Sequence, residues 1–336
     1  MLRTRFTSHL FPVRSLVTKQ PSSMAGGANR VTAPGGPDSP TFPLPSARVP
    51  ESKLLLALVM LLVLRTTPAF GQINWEGQTG GFITPFAYTS ASPTTGFGKP
   101  QVAFHYLNAG PVIGNLFQLS VTEGVFKRVE FGFTRALSSQ GSTPALSPLF
   151  AGGFNIFHGK VNILEENAFQ TKYLPAISAG FVARTEVERV GGVLNAKSTQ
   201  NGDFYVVATK TITQLKVLPI VLNAGFKETN ASVFGIAGNS PAWLGRFFGT
   251  GAFVIKGPKH SAFIFGSEVV QQPRYIEGLP GPTIPTSVTY IFRLLPGFEK
   301  PKLNFDFGVA QAVGVITPGV NIKARHQVAT GITYQF

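Results

Sequence analysis

From residue 82 to the last residue, short runs alternate apolar with polar side chains and are separated by Gly, Pro, Asn and Ser clusters. A period of two predicts strands, because successive side chains of a strand point to opposite faces. In 303–309, Leu303, Phe305, Phe307 and Val309 share one face, and Asn304, Asp306 and Gly308 the other. In 127–134, Val129, Phe131 and Phe133 oppose Arg128, Glu130, Gly132 and Thr134. Along 220–227, Ile220, Leu222, Ala224 and Phe226 oppose Val221, Asn223, Gly225 and Lys227; along 286–293, Val288, Tyr290 and Phe292 oppose Thr289 and Arg293. The chain ends on the same pattern, with Val328, Thr330, Ile332, Tyr334 and Phe336 on one face.

Candidate strands fall near 82–88, 100–107, 115–122, 127–136, 156–164, 175–185, 203–212, 217–227, 247–256, 261–271, 285–294, 303–312 and 326–336. That makes thirteen, whereas single-chain bacterial barrels have even numbers of strands. The first run, which contains Pro85, is the one predicted to leave the wall and plug or line the lumen. The expectation is an all-β, transmembrane, antiparallel up-and-down barrel of about 12 strands, with 10 or 14 as alternatives.

A water-soluble sandwich alternates too, so composition has to decide between them. Only 13% of residues are charged, against about 25% in an ordinary soluble chain. Thirty residues are Phe. The polar faces carry small residues and isolated charges, as a lumen does, and the apolar faces are rich in Phe. Tyr88, Tyr106, Tyr205, Tyr290 and Tyr334 are expected in an aromatic girdle at strand ends. Zero cysteine excludes disulfides and thiolate chemistry.

Ahead of the strands, 54–64 (LLLALVMLLVL) is an apolar run of eleven that follows Lys53. It is too short for a membrane-spanning helix and the right length for a signal-peptide core. Ala69-Phe70-Gly71 places small residues for cleavage before Gln72. The reading is therefore 1–52 as a disordered leader or an early translation start, 53–71 as a signal peptide and 72–336 as the barrel. Of the formal +14, residues 1–71 carry eight Lys/Arg and two Asp/Glu, leaving +8 on the remainder. Those charges are scattered and no nucleic-acid motif accompanies them, which argues against nucleic acid as a partner.

The segments GQTGGFITPFAYT (77–89), LPAISAGF (174–181), GDFYVVATK (202–210), FGSEV (265–269) and GITYQF (331–336) resemble Gram-negative outer-membrane barrels grouped as domains of unknown function. The first of these segments also resembles the opening of barrels associated with exopolysaccharide secretion. The terminal strand resembles the insertion signal that the barrel assembly machinery reads. These likenesses imply the bacterial outer membrane as location, its lipid as surroundings and the assembly machinery as a transient partner. They imply nothing about oligomeric state.

Catalytic chemistry is not expected. Beyond the leader the histidines are His105, His158, His260 and His326, and His260 and Ser261 are sequence neighbours on opposite strand faces. No spacing suits a metal or a cofactor. Glu165-Glu166, and Glu186 with Glu188, read as loop or solvated positions. The lumen-lining candidates are Arg128 (or Lys127), Glu130, Lys210, Lys227, Glu268, Arg293, Asp306 and Arg325, because Arg or Lys at the lipid midplane costs about 2–4 kcal/mol. The expected function is a channel or transport barrel for small solutes with a plugged or restricted lumen, the net charge favouring anions. The alternatives are a structural barrel for polysaccharide export or envelope integrity, and a rim-active hydrolase.

Overall fold

Every strand bonds to the next in sequence, and the last bonds to the first. The computed structural model describes residues 72–142, 152–187, 199–213, 218–232, 238–258, 261–273, 284, 286–296, 302–313 and 326–336. Its strands are β1 (Gln101–Asn108), β2 (Asn115–Val125), β3 (Val129–Ser139), β4 (Gly152–Leu164), β5 (Ala176–Thr185), β6 (Gln200–Ile212), β7 (Ile220–Ala231), β8 (Asn239–Lys256), β9 (Ala262–Gln271), β10 (Thr286–Leu295), β11 (Leu303–Val313) and β12 (Gln327–Gln335). All neighbouring pairs are antiparallel, and β1 closes onto β12 with Phe104 opposite Ile332. Closure leaves no unpaired edge, which is the condition for a sheet to stand in hydrocarbon.

The outer surface is a band of aromatic and branched side chains. Phe265, Phe292 and Phe307 lie side by side across β9, β10 and β11, and all three are exposed. Phe133 and Phe157, and Phe226 and Phe247, are directly opposed pairs with ring centroids 5.2 Å apart. The predicted terminal face, Val328 to Phe336 at alternate positions, points outward. A closed antiparallel barrel of twelve strands with this apolar exterior is a bacterial outer-membrane barrel.

Connections 126–128, 165–175, 213–219, 257–261 and 296–302 share one rim with the start of β1 and the end of β12. The strand ends that flank 109–114, 140–151, 186–199, 232–238, 272–285 and 314–326 lie at the other rim, and most of the longer intervals in sequence fall between them. Shorter turns face the periplasm in such barrels, which makes the first rim periplasmic. The tightest turn is Phe126-Lys127, with φ of 53° and 58°. That left-handed pair gives the twist that joins β2 to β3 without splaying them.

The first of the thirteen predicted runs, 82–88, is not in the wall. Residues 72–90 fold inside the barrel, with short bridges Ile73 to Thr79 and Gly80 to Pro85. Two girdle assignments are corrected by this. Tyr88 belongs to the internal segment and Tyr205 faces inward on β6; both are buried. The signal-peptide region 53–71 and Arg325 lie outside the described residues.

Candidate functional site: a plugged lumen

A segment threaded through a barrel brings its own backbone N–H and C=O groups, and each needs a partner once buried. In 72–90 the wall supplies many of them from polar side chains. Glu268 on β9 accepts the N–H groups of Phe82 (3.1 Å), Ile83 (2.7 Å) and Thr84 (3.1 Å) and the Thr84 hydroxyl (2.6 Å). Glu130 on β3 accepts from Thr79 N (2.9 Å) and Ser90 N (2.7 Å), and from both their hydroxyls. Lys160 on β4 pairs with Glu130 at 3.0 Å and donates to the carbonyls of Thr79 (3.0 Å) and Phe86 (3.1 Å). Arg293 on β10 pairs with Asp306 on β11 at 2.7 Å and donates to the carbonyls of Gly80 and Gly81.

Neutral side chains complete the lining. Ser178 and Asn162 donate to Ala87 O, Thr209 accepts from Ala87 N, Asn223 donates to Pro85 O, and Thr122 donates to Gly77 O. Gln72 at the start of the segment donates to Asp306 at 2.8 Å. Glu76 reaches Arg184 on β5, which also pairs with Asp203 on β6 at 2.8 Å; Lys227 on β7 approaches the same carboxylate oxygen at 3.4 Å. Tyr88 donates to Glu166 at 2.7 Å. Burial first, and then that carboxylate, raises its phenol above the ordinary value and keeps it a donor.

Apolar contacts seat the segment as well. Phe86, Ala87 and Tyr88 pack in a cluster with Ile156, Val182, Val207, Val221, Val254 and Ile264 from the inner wall. Phe82 packs against Ile291 and Ala329, and Trp75 and Phe82 stand about 6 Å from the His105 ring.

Among the predicted lumen residues, the structure places Glu130, Lys227, Glu268, Arg293 and Asp306 on the inward face, and all but Lys227 are fully or nearly fully buried. Arg128 instead belongs to the periplasmic hairpin and pairs with Glu165 at 3.3 Å. Lys127 shares that hairpin, where its N–H donates to Ser92. Lys210 shares the outward parity of Phe204 and Val206 and turns to Glu166 at 3.1 Å near the periplasmic rim. Lys160, Arg184 and Asp203 are inward charges absent from the sequence-based candidates. Their signal is parity alone: Lys160 lies between the outward Phe157 and Val161 on the phase of His158 and Asn162. His105 and His158 are buried against the plug.

The family described as "Protein of unknown function (DUF3034)" matches residues 67–244, more than half of the chain. The chain belongs to the DUF3034 family. The DUF3034 match takes in the whole internal segment, β1 to β7 and the start of β8. No curated protein matches the chain. Solved structures similar to this DUF3034 barrel include the KdgM porin, at 8% identity with 70% of this chain and 99% of that one covered and a TM-score of 0.41. The NanC porin has 9% identity, 70% and 100% coverage and a TM-score of 0.43. An outer-membrane channel from Pseudomonas putida F1 has 10% identity, 73% and 97% coverage and a TM-score of 0.41.

Proposed function

We propose that this DUF3034 barrel is an outer-membrane channel for small solutes whose resting lumen is stoppered by its own residues 72–90. One observation carries the reading: the stopper is held by side-chain hydrogen bonds from a charged wall, not by strand pairing with it. Such contacts exchange readily for water, so a wall built this way stays wettable when the segment moves. The wall's paired charges close on one another and need no lipid contact.

Cross-linking the stopper to the wall tests the reading. The hydroxyls of Thr84 and Thr250 touch at 2.6 Å, near the span of a disulfide of about 2.0 Å, and the chain has no cysteine of its own. Purified Thr84→Cys/Thr250→Cys protein in planar bilayers is expected to give lipid background when oxidised and discrete openings when reduced. Silence in both states, and in the wild type under applied voltage, would sink the channel reading. A structural barrel for polysaccharide export or envelope integrity would then replace it, a reading that the tight burial of the inner wall favours.

The outward alternation of Val328, Thr330, Ile332, Tyr334 and Phe336 supports recognition by the barrel assembly machinery. Deleting Phe336 is expected to cut the yield of assembled barrel several-fold while synthesis stays constant. The readout is the ratio of heat-modifiable protein in outer membranes to total protein.

A further inference from the structure

Among the described residues the inward acids fall into two kinds. Lys160 with Glu130, Arg293 with Asp306, and Arg184 and Lys227 with Asp203 are pairs between wall residues at 3.4 Å or less. They remain paired wherever the plug is. Glu268 is different. All four of its hydrogen bonds come from Phe82, Ile83 and Thr84 of the plug, and among the described residues no Lys or Arg forms an ion pair with it. Arg293, on the adjacent strand, is engaged by Asp306, Gly80 and Gly81. Three successive N–H groups and a hydroxyl converge on the Glu268 carboxylate and take the place of a counter-ion.

Resting on the channel reading, we infer that Glu268 is the latch that holds the plug. Once the plug withdraws, it becomes the bare carboxylate that draws small cations, inorganic or ammonium-bearing, into the lumen. Withdrawal strips the carboxylate of every donor at once. A carboxylate on a low-dielectric wall then recruits the nearest positive charge, as acidic rings do in cation channels. This local demand differs from the anion preference expected from the overall +8, because the other described inward acids, Glu130, Asp203 and Asp306, already have partners on the wall.

Two measurements on the full chain test the two roles. Glu268→Gln sets an amide NH2 against at least one plug N–H or O–H donor in either orientation, since Oε1 and Oε2 both accept from the plug. With Ala87→Cys as the sole cysteine, at a position buried in the seated plug, Glu268→Gln is expected to speed thiol labelling by about tenfold or more, the factor for losing one charge-assisted bond. Heat-modifiability reports in parallel that the barrel remains folded. An unchanged rate in folded protein would overturn the latch.

For the second role, the plug is unseated by Gly80→Ala and the reversal potential is read in a KCl gradient. Adding Glu268→Gln is expected to lower the cation-to-anion permeability ratio about threefold, the wall having lost its bare charge. No change would mean that Arg293 swings over to neutralise Glu268, and the cation role would fall. If neither these variants nor the reduced Thr84→Cys/Thr250→Cys protein conducts, the channel reading fails and takes the cation role with it, while the labelling rate still decides the latch.

Discussion

Lys160→Met is expected to destabilise the plugged barrel by about 3–5 kcal/mol, the effect of removing one partner from a buried ion pair. Lys160 and Glu130 are both fully buried, 3.0 Å apart. Without the ammonium, Glu130 keeps donors from Thr79 and Ser90 but has no full positive charge beside it, and the Phe86 carbonyl loses the Lys160 donor while the Thr79 carbonyl keeps only the Phe86 N–H. The double variant Glu130→Gln/Lys160→Met removes the stranded charge and is expected to recover a large part of the loss. The readout is the temperature at which the fast-migrating folded band disappears on unboiled gels. Equal midpoints for Lys160→Met and wild type would mean that the pair contributes nothing to the seat.

On the channel reading, Gly80→Ala is expected to open the lumen with the wall untouched. A Cβ at Gly80 would stand 2.2 Å from the Thr84 carbonyl oxygen and 3.0 Å from the Pro85 Cα, both backbone atoms that cannot swing aside. The turn 80–84 must therefore spread, and it is this turn that aims three N–H groups at Glu268 and two carbonyls at Arg293. Overpacking costs roughly 1–3 kcal/mol, which moves the seated-to-released equilibrium about 5- to 150-fold. Bilayer recordings should show open probability rising within that range at unchanged barrel yield. A fully closed Gly80→Ala protein would show that the turn can spread without the plug leaving.

Much of this architecture was legible as alternation. The twelve wall strands lie within a few residues of the predicted runs in most cases, because one face had to meet lipid and the other could not. The plug was legible as a break in the rule: 82–88 has the composition of a strand but carries Pro85, which cannot donate to a ladder. The largest displaced boundary is the start of β8, at Asn239 rather than near 247. There Pro241 and Gly245 hide the strand, and the register against β7 shifts between Thr229 and Ala231.

Parity failed where both faces are apolar. Val206 and Val207 are consecutive, so the outward phase of Lys210 could not be read from its neighbours. Phe154, Ile156, Phe248 and Val254 point inward against the plug, yet in sequence they look no different from lipid-facing residues. The partners of each lumen charge were hidden for another reason. Glu130 meets Thr79 and Ser90, and Glu268 meets 82–84, across separations of 40 to 186 residues. Such contacts depend on which stretch of plug crosses which strand, and alternation within a strand carries no information about that.

Toward β1 the plug leaves the barrel over the periplasmic rim. Ser92 is bonded to Lys127 N at 2.9 Å, Gly98 N to Gly124 O at 2.8 Å, and Phe97 bridges Val125, all beside the β2–β3 turn. A pull on 91–100 from the periplasm, once those contacts break, loads Ser90 on Glu130 before Ala87 on Thr209 and Ser178, and those before Thr84 on Glu268. The bonds then fail in succession, each under nearly the whole force. A push from the outer rim would load many of them together. The stopper is thus mechanically directional: weak to traction from the periplasm and strong against pressure from outside the cell.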